Sequence, residues 1–178
     1  MSESRPLRSK YAHPEYERRW LVRRLPDLEP AVRGSHIDDR YLVGTRLRLR
    51  RVVPIEGGPP VYKLGQKVRP DADDGRLVMH TTMYLTVEEH ALMSRLPGAD
   101  LFKTRYHLAC GGRTFGLDVF AGRLSGLVLL EIETDPGEEL FPGPSFTARE
   151  VTRDERYTGG CLAFASDEEL AVVLSMGE

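Results

Sequence analysis

The sequence predicts an all-β-dominated α+β fold, with its strands in a sandwich or a closed barrel and a few helices at the edge. Three observations predict it. About eight short segments alternate in side-chain character with the two-residue period of a β-strand. Clusters of Gly, Pro and Asp separate them at short intervals, which favours antiparallel pairing. Helix signals are sparse: capping boxes stand at Thr86 with Glu89 and at Ser166 with Glu169.

The elements follow in order. MSESRPLRSKYAHP is a polar lead, read as flexible over 1–14, without the apolar stretch of a signal peptide. EYERRWLV (15–22) reads as the first strand, with Glu15, Glu17 and Arg19 on one face and Tyr16, Arg18 and Trp20 on the other. Two prolines and a glycine make 23–35 a loop with room for one helical turn. HIDDRYLV (36–43) is a weaker strand, and TRLRLRRVV (45–53) sets Arg46, Arg48 and Arg50 against Leu47 and Leu49. PIEGGPP and PDADDG are turns on either side of VYKLGQKV (61–68), which places Lys63 and Lys67 on one face. RLVMHTTMYL (76–85) is a strand, and TVEEHALMSRL (86–96) a capped helix ended by Pro97-Gly98. LFKTRYHLAC and TFGLDVF form a hairpin across CGGR, and LVLLEIET (127–134) sets Leu129, Glu131 and Glu133 against Val128, Leu130 and Ile132. After a Pro/Gly-rich stretch (135–146) come a short helix near 159–165 and a last helix within 166–178.

Composition narrows the function. In 178 residues, suited to one domain, 25 basic and 27 acidic side chains nearly cancel to −2, so no global excess advertises nucleic acid or an acidic membrane. Two distant cysteines, Cys110 and Cys161, fit a reducing cytoplasm rather than a disulfide scaffold. No apolar run is long enough for a transmembrane helix. There is no P-loop and no HExxH motif, and the five histidines lack zinc-like spacing. His90 reads as a surface residue on its helix and Trp20 as a packing residue, while Tyr41, Tyr106 and Tyr157 read first as packing residues, any of which could hydrogen-bond a phosphate.

The charge placement carries the functional argument. An ordinary strand face in water mixes its signs. Here several faces are nearly pure: Arg46, Arg48 and Arg50; Lys63 and Lys67; Lys103 and Arg105; Glu131 and Glu133. If the sheet closes with these faces inward, a basic wall calls for a polyanion, with Arg suited to bidentate phosphate contact. A carboxylate wall beside phosphate calls for a hard divalent cation, Mg²⁺ or Mn²⁺.

These residues resemble the CYTH, or triphosphate tunnel metalloenzyme, family. EYERRW is similar to its ExExK signature with Arg19 in the lysine position, and TRLRLRR to its RxR strand. YKLGQK, FKTRY, LDVF, LLEIE and EVTRDERY follow in the family's order, so the resemblance covers 15–165. It implies an eight-stranded antiparallel closed tunnel with peripheral helices and a metal-dependent triphosphatase, with inorganic tripolyphosphate the foremost substrate. It implies metal ligands at Glu15, Glu17, Asp118, Glu131 and Glu133, with Glu17, Glu131 and Glu133 also catalytic. It implies phosphate contacts at Arg19, Arg48, Arg50, Lys67, Lys103, Arg105 and Arg156, with Arg156 closing one tunnel end; Arg46 and Lys63 join them as members of the same basic faces. The sequence departs from the family pattern at His80, Thr81, Met83, Gly116 and Glu155, which leaves fewer side-wall acids.

The rival readings are a non-catalytic polyphosphate- or nucleotide-binding module, a class IV-type adenylate cyclase and a thiamine triphosphatase. No membrane partner and no specific nucleic acid are expected. Leu170, Val172, Val173 and Leu174 call for a packing surface, either the barrel or a second copy in a homodimer.

Overall fold

The computed structural model describes residues 10–28, 32–70 and 75–176. The lead over 1–9, part of the 23–35 loop and most of the PDADDG turn lie outside the described residues. Nine strands form among the described residues: β1 (His13–Val22), β2 (Gly34–Leu42), β3 (Leu47–Pro54), β4 (Val61–Val68), β5 (Leu77–Leu85), β6 (Gly98–Cys110), β7 (Arg113–Ala121), β8 (Val128–Thr134) and β9 (Thr147–Glu150). Among the described residues the helices are α1 (Val87–Met93), α2 (Gly159–Phe164) and α3 (Asp167–Ser175), with 3-10 turns at Gly122–Leu124 and Glu155–Tyr157.

The first eight strands pair antiparallel in the order β5-β4-β3-β2-β6-β7-β8-β1, and β1 returns to β5, so the sheet closes. Closure removes the unpaired edges that an open sheet would expose. β1 starts earlier than predicted, because His13 and Pro14 pair with His80 and Met79 of β5. Its later half runs past β5 and is met instead by β9, through Trp20↔Glu150 and Leu21↔Arg149. TARE carries no alternating pattern. It becomes a strand because the free backbone groups of β1 need partners.

Alternation then sorts the side chains. Outside the barrel, Trp20, Phe115, Leu117, Leu130 and Ile132 form a core capped by Phe141 and Phe146 of the Pro/Gly-rich stretch. The guanidinium of Arg18 lies 4.6 Å from the Trp20 ring and 4.7 Å from the Phe141 ring and donates to both oxygens of Glu150, which fastens that cover. Inside, Leu21, Leu101, Phe120 and Leu129 make one end of the lumen apolar and meet Tyr157, Leu162, Leu170 and Val173 from the C-terminal segment. The last helix therefore finds its packing surface within the chain: Leu170 and Val173 are buried, while Val172 stays exposed. Burying side chains of this size contributes about 1.5–3 kcal/mol each. α1 has its capping box but ends at Met93, short of Leu96, and buries no residue. His90 is not simply at the surface: its ring lies 4.7 Å from that of Tyr62.

Candidate active site

The charged faces point into the barrel, where they border two adjoining cavities of about 730 and 280 Å³. Glu17, Arg48, Arg50, Lys67, Arg105 and Glu131 border both and form the waist between them. Arg19, Arg46, Arg69 and Lys103 belong to the larger cavity, which ends at the C-terminal segment. Glu15, His80, His107 and Glu133 belong to the smaller one.

Several of the cations pair with buried aspartates. Asp39 on β2 accepts from Nε and Nη2 of Arg50, each at 2.6 Å, and lies 3.5 Å from Nε of Arg48. Asp118 on β7 accepts from Nε and Nη2 of Arg105, each at 2.6 Å, and from Lys103. Burial alone would raise the Asp39 pKa, but the charges of Arg50 and Arg48 outweigh it and hold it below the ordinary aspartate value. Burial lowers the Lys103 pKa despite Asp118 beside it.

Some donors are left over. Arg19 is buried and gives Nη1 to the Tyr157 carbonyl at 2.7 Å, but its Nε and Nη2 have no hydrogen-bond partner, and neither has Nε of Arg48. These are the buried side-chain nitrogens left unsatisfied among the described residues. A buried donor without a partner costs about 1–3 kcal/mol. All of them border the larger cavity, where an oxyanion would satisfy them.

The glutamates meet along β1 and β8, where Glu17 stands opposite Glu133 and Arg19 opposite Glu131. Lys67 donates to Glu15 at 3.0 Å and also to Glu17, His80 Nδ1 stands 2.6 Å from Glu15, and Arg105 reaches Glu131. Burial pushes the Glu15 pKa up, but His80 and Lys67 overcome it and bring it down to about 2. Glu131 is likewise lowered, by Arg105, Lys103 and Arg19 acting against its burial. Glu133 makes no ion pair among the described residues and faces the smaller cavity. Four carboxylates on two neighbouring strands are a hard oxygen donor set that fits Mg²⁺ or Mn²⁺. Among the described residues, no three acidic, His or Cys side chains are grouped as an ion would need.

Three predicted site residues lie elsewhere. Lys63 shares the face of Lys67, but its ammonium stacks 5.2 Å from the Tyr84 ring and borders neither cavity. Arg156 does not close the tunnel: it donates to both oxygens of Asp154 at 2.8 and 2.7 Å on the surface, and Glu155 and Tyr157 line the cavity in its place. Asp118, read as a metal ligand, is fully buried behind Lys103 and Arg105 and borders neither cavity.

The sequence reading does not single out Asp39, Arg69 or His80 as site residues, and Tyr41, read first as a packing residue, lines the larger cavity. Period-two reading alone places Asp39 on the face of Ile37 and Tyr41, and Arg69 on that of Lys67; what it cannot tell is which face looks inward. Gly116 also acquires a reason. A Cβ there would lie 3.2 Å from Nε of Arg105, so its absence leaves room for the guanidinium.

The fold and sequence have counterparts among known proteins. The chain is similar to inorganic triphosphatases. It is 29% identical over 164 residues to the inorganic triphosphatase of Nitrosomonas europaea, spanning 85% of this chain and 97% of that protein. A 60-residue stretch is 42% identical to the inorganic triphosphatase of Acetivibrio thermocellus, covering 34% of this chain and 38% of that protein. The crystal structure of the inorganic triphosphatase NE1496 superposes with a TM-score of 0.59 at 28% identity, over 85% of this chain and 95% of that one. No family model matches the chain. No helix among the described residues is long and apolar enough to cross a membrane.

Proposed function

We propose that the chain is a divalent-metal-dependent triphosphatase of the CYTH type, hydrolysing a terminal phosphoanhydride, with inorganic tripolyphosphate as substrate. The observation that carries this reading is the set of unsatisfied guanidinium nitrogens of Arg19 and Arg48 in a cavity already rich in cations. Likeness to inorganic triphosphatases supports it.

In this reading the oligophosphate lies along Arg19, Arg48, Arg50 and Arg105, which bind its oxygens and stabilise charge on the transferring phosphoryl group. Lys67 exchanges its glutamate partners for phosphate. Glu15, Glu17 and Glu131 would then be available to hold Mg²⁺ or Mn²⁺, which when bound would neutralise charge on phosphate oxygens. Glu133, free of cation partners, orients the attacking water and accepts its proton.

The test is phosphate release from tripolyphosphate with Mg²⁺, with Mn²⁺ and with chelator, beside a Glu17→Gln control. Metal-dependent release that the control loses is the expected result. Thr81, Met83 and Gly116, which leave fewer side-wall acids, favour a second reading, a binding module without turnover. Tripolyphosphate binding with no release under either metal would establish that reading and overturn ours.

A further inference from the structure

We infer that Asp39 and Asp118 are positioning residues, buried anchors that aim the lumen guanidinium groups at a bound oligophosphate, and that Asp118 is not a metal ligand. The inference rests on the oligophosphate reading above.

The two aspartates occupy matching places. β2 and β7 flank β6, so Asp39 and Asp118 bracket the strand that carries Lys103 and Arg105. Their exposures are 2% and 0%. Neither borders a cavity, whereas the cations they hold do. In each pair the carboxylate takes Nε and Nη2 of one arginine, Arg50 or Arg105. A guanidinium held by that edge turns its remaining N–H groups the other way. For both arginines Nη1 makes no hydrogen bond among the described residues. Gly116 belongs to the same device, since a side chain there would press on Arg105.

The glutamates are arranged differently. Glu15, Glu17, Glu131 and Glu133 border the smaller cavity, where a cation can reach them. To reach Asp118, an ion would first have to break buried ion pairs with Arg105 and Lys103, leaving Lys103 without its counter-ion and Arg105 with Glu131 alone. The lumen thus holds two kinds of carboxylate: glutamates open to exchange, and aspartates fixed behind the cationic surface.

The test is calorimetric titration of tripolyphosphate in chelator into the wild-type chain, Asp39→Asn, Asp118→Asn and Glu133→Gln, with Mn²⁺ affinity read separately by electron paramagnetic resonance. Each aspartate variant should bind about tenfold more weakly, because a preorganised contact is lost. Glu133→Gln should bind no more weakly than wild type, and Asp118→Asn should keep the wild-type Mn²⁺ affinity. The direction is informative, since removing a negative charge would by itself strengthen anion binding. Equal or tighter binding by Asp118→Asn, or a loss of its Mn²⁺ affinity, would overturn the proposal. A variant that does not fold leaves a second measurement on the wild type: the Arg50 and Arg105 side chains should give slowly rotating guanidinium signals in nuclear magnetic resonance without ligand, and freely averaged signals would refute the anchoring. If wild type shows slow guanidinium rotation yet binds no tripolyphosphate with or without Mn²⁺, the anchors stand but the oligophosphate reading falls, and with it the purpose assigned to them.

Discussion

Glu17 on β1 stands directly opposite Glu133 on β8, so two carboxylates share one rung of the ladder. Lys67 serves Glu17 and Glu15 and leaves Glu133 unpaired. Like charges directly opposite destabilise an antiparallel pair by about 0.2–1 kcal/mol. Glu133→Gln should therefore raise the melting temperature by about 0.4–4 °C for a chain of this size. It should also lower phosphate release from tripolyphosphate by about 100-fold or more. Thermal melts and a phosphate assay on the same sample check both. A lower melting temperature with turnover intact would make Glu133 a structural residue.

Glu15 links stability to pH. Its folded-state pKa is brought from 4.5 to about 2, with His80 and Lys67 overcoming the effect of burial. A depressed carboxylate contributes stability that is complete above its unfolded value and is lost as pH falls through the folded one. The window is therefore pH 4.5 down to about 2. Denaturant unfolding of wild type and Glu15→Gln should differ fully at neutral pH and converge across that window. His80→Ala should move the Glu15 carboxyl titration upward, read by its carbon resonance.

Gly159 has no room for a side chain. A Cβ there would fall 1.9 Å from the Tyr41 hydroxyl and 2.9 Å from Cζ. Gly159→Ala should destabilise the chain by about 1–3 kcal/mol through overpacking. Adding Tyr41→Phe removes the closest atom and should restore part of the loss. An unchanged melting temperature in the single variant would mean that α2 sits farther from β2.

Leu170 closes the apolar end of the barrel with Leu21, Leu101 and Leu129. Leu170→Ala should cost about 2–4 kcal/mol, which lowers the melting temperature by about 4–16 °C. Oligomeric state at equal concentration should not change, since α3 packs within its own chain. A shift in oligomeric state with little loss of stability would instead place this face between two copies.

Much of the barrel was legible because strand character is local. Arg48 and Arg50 alternating with Leu47 and Leu49, or Glu131 and Glu133 with Leu130 and Ile132, show two faces without any reference to distant residues. The capping boxes at Thr86 and Ser166 are equally local, and both form. β9 was not legible, because TARE becomes a strand only when the edge of β1 stands beside it.

The sequence by itself determined which side chains share a face, and hence that basic and acidic faces exist at all. Tertiary structure alone decided which face looks inward and which charges meet. Asp38 and Asp39 are neighbours of identical chemistry, yet Asp38 pairs with Arg51 on the exposed side while Asp39 is buried against Arg50. Arg105 finds Asp118 through the register of β6 with β7, and Glu131 across the further β8 strand. A period of two comes from the geometry of a single strand. A counter-ion comes from the register between strands far apart in sequence, and that register is set only when the sheet closes around its core.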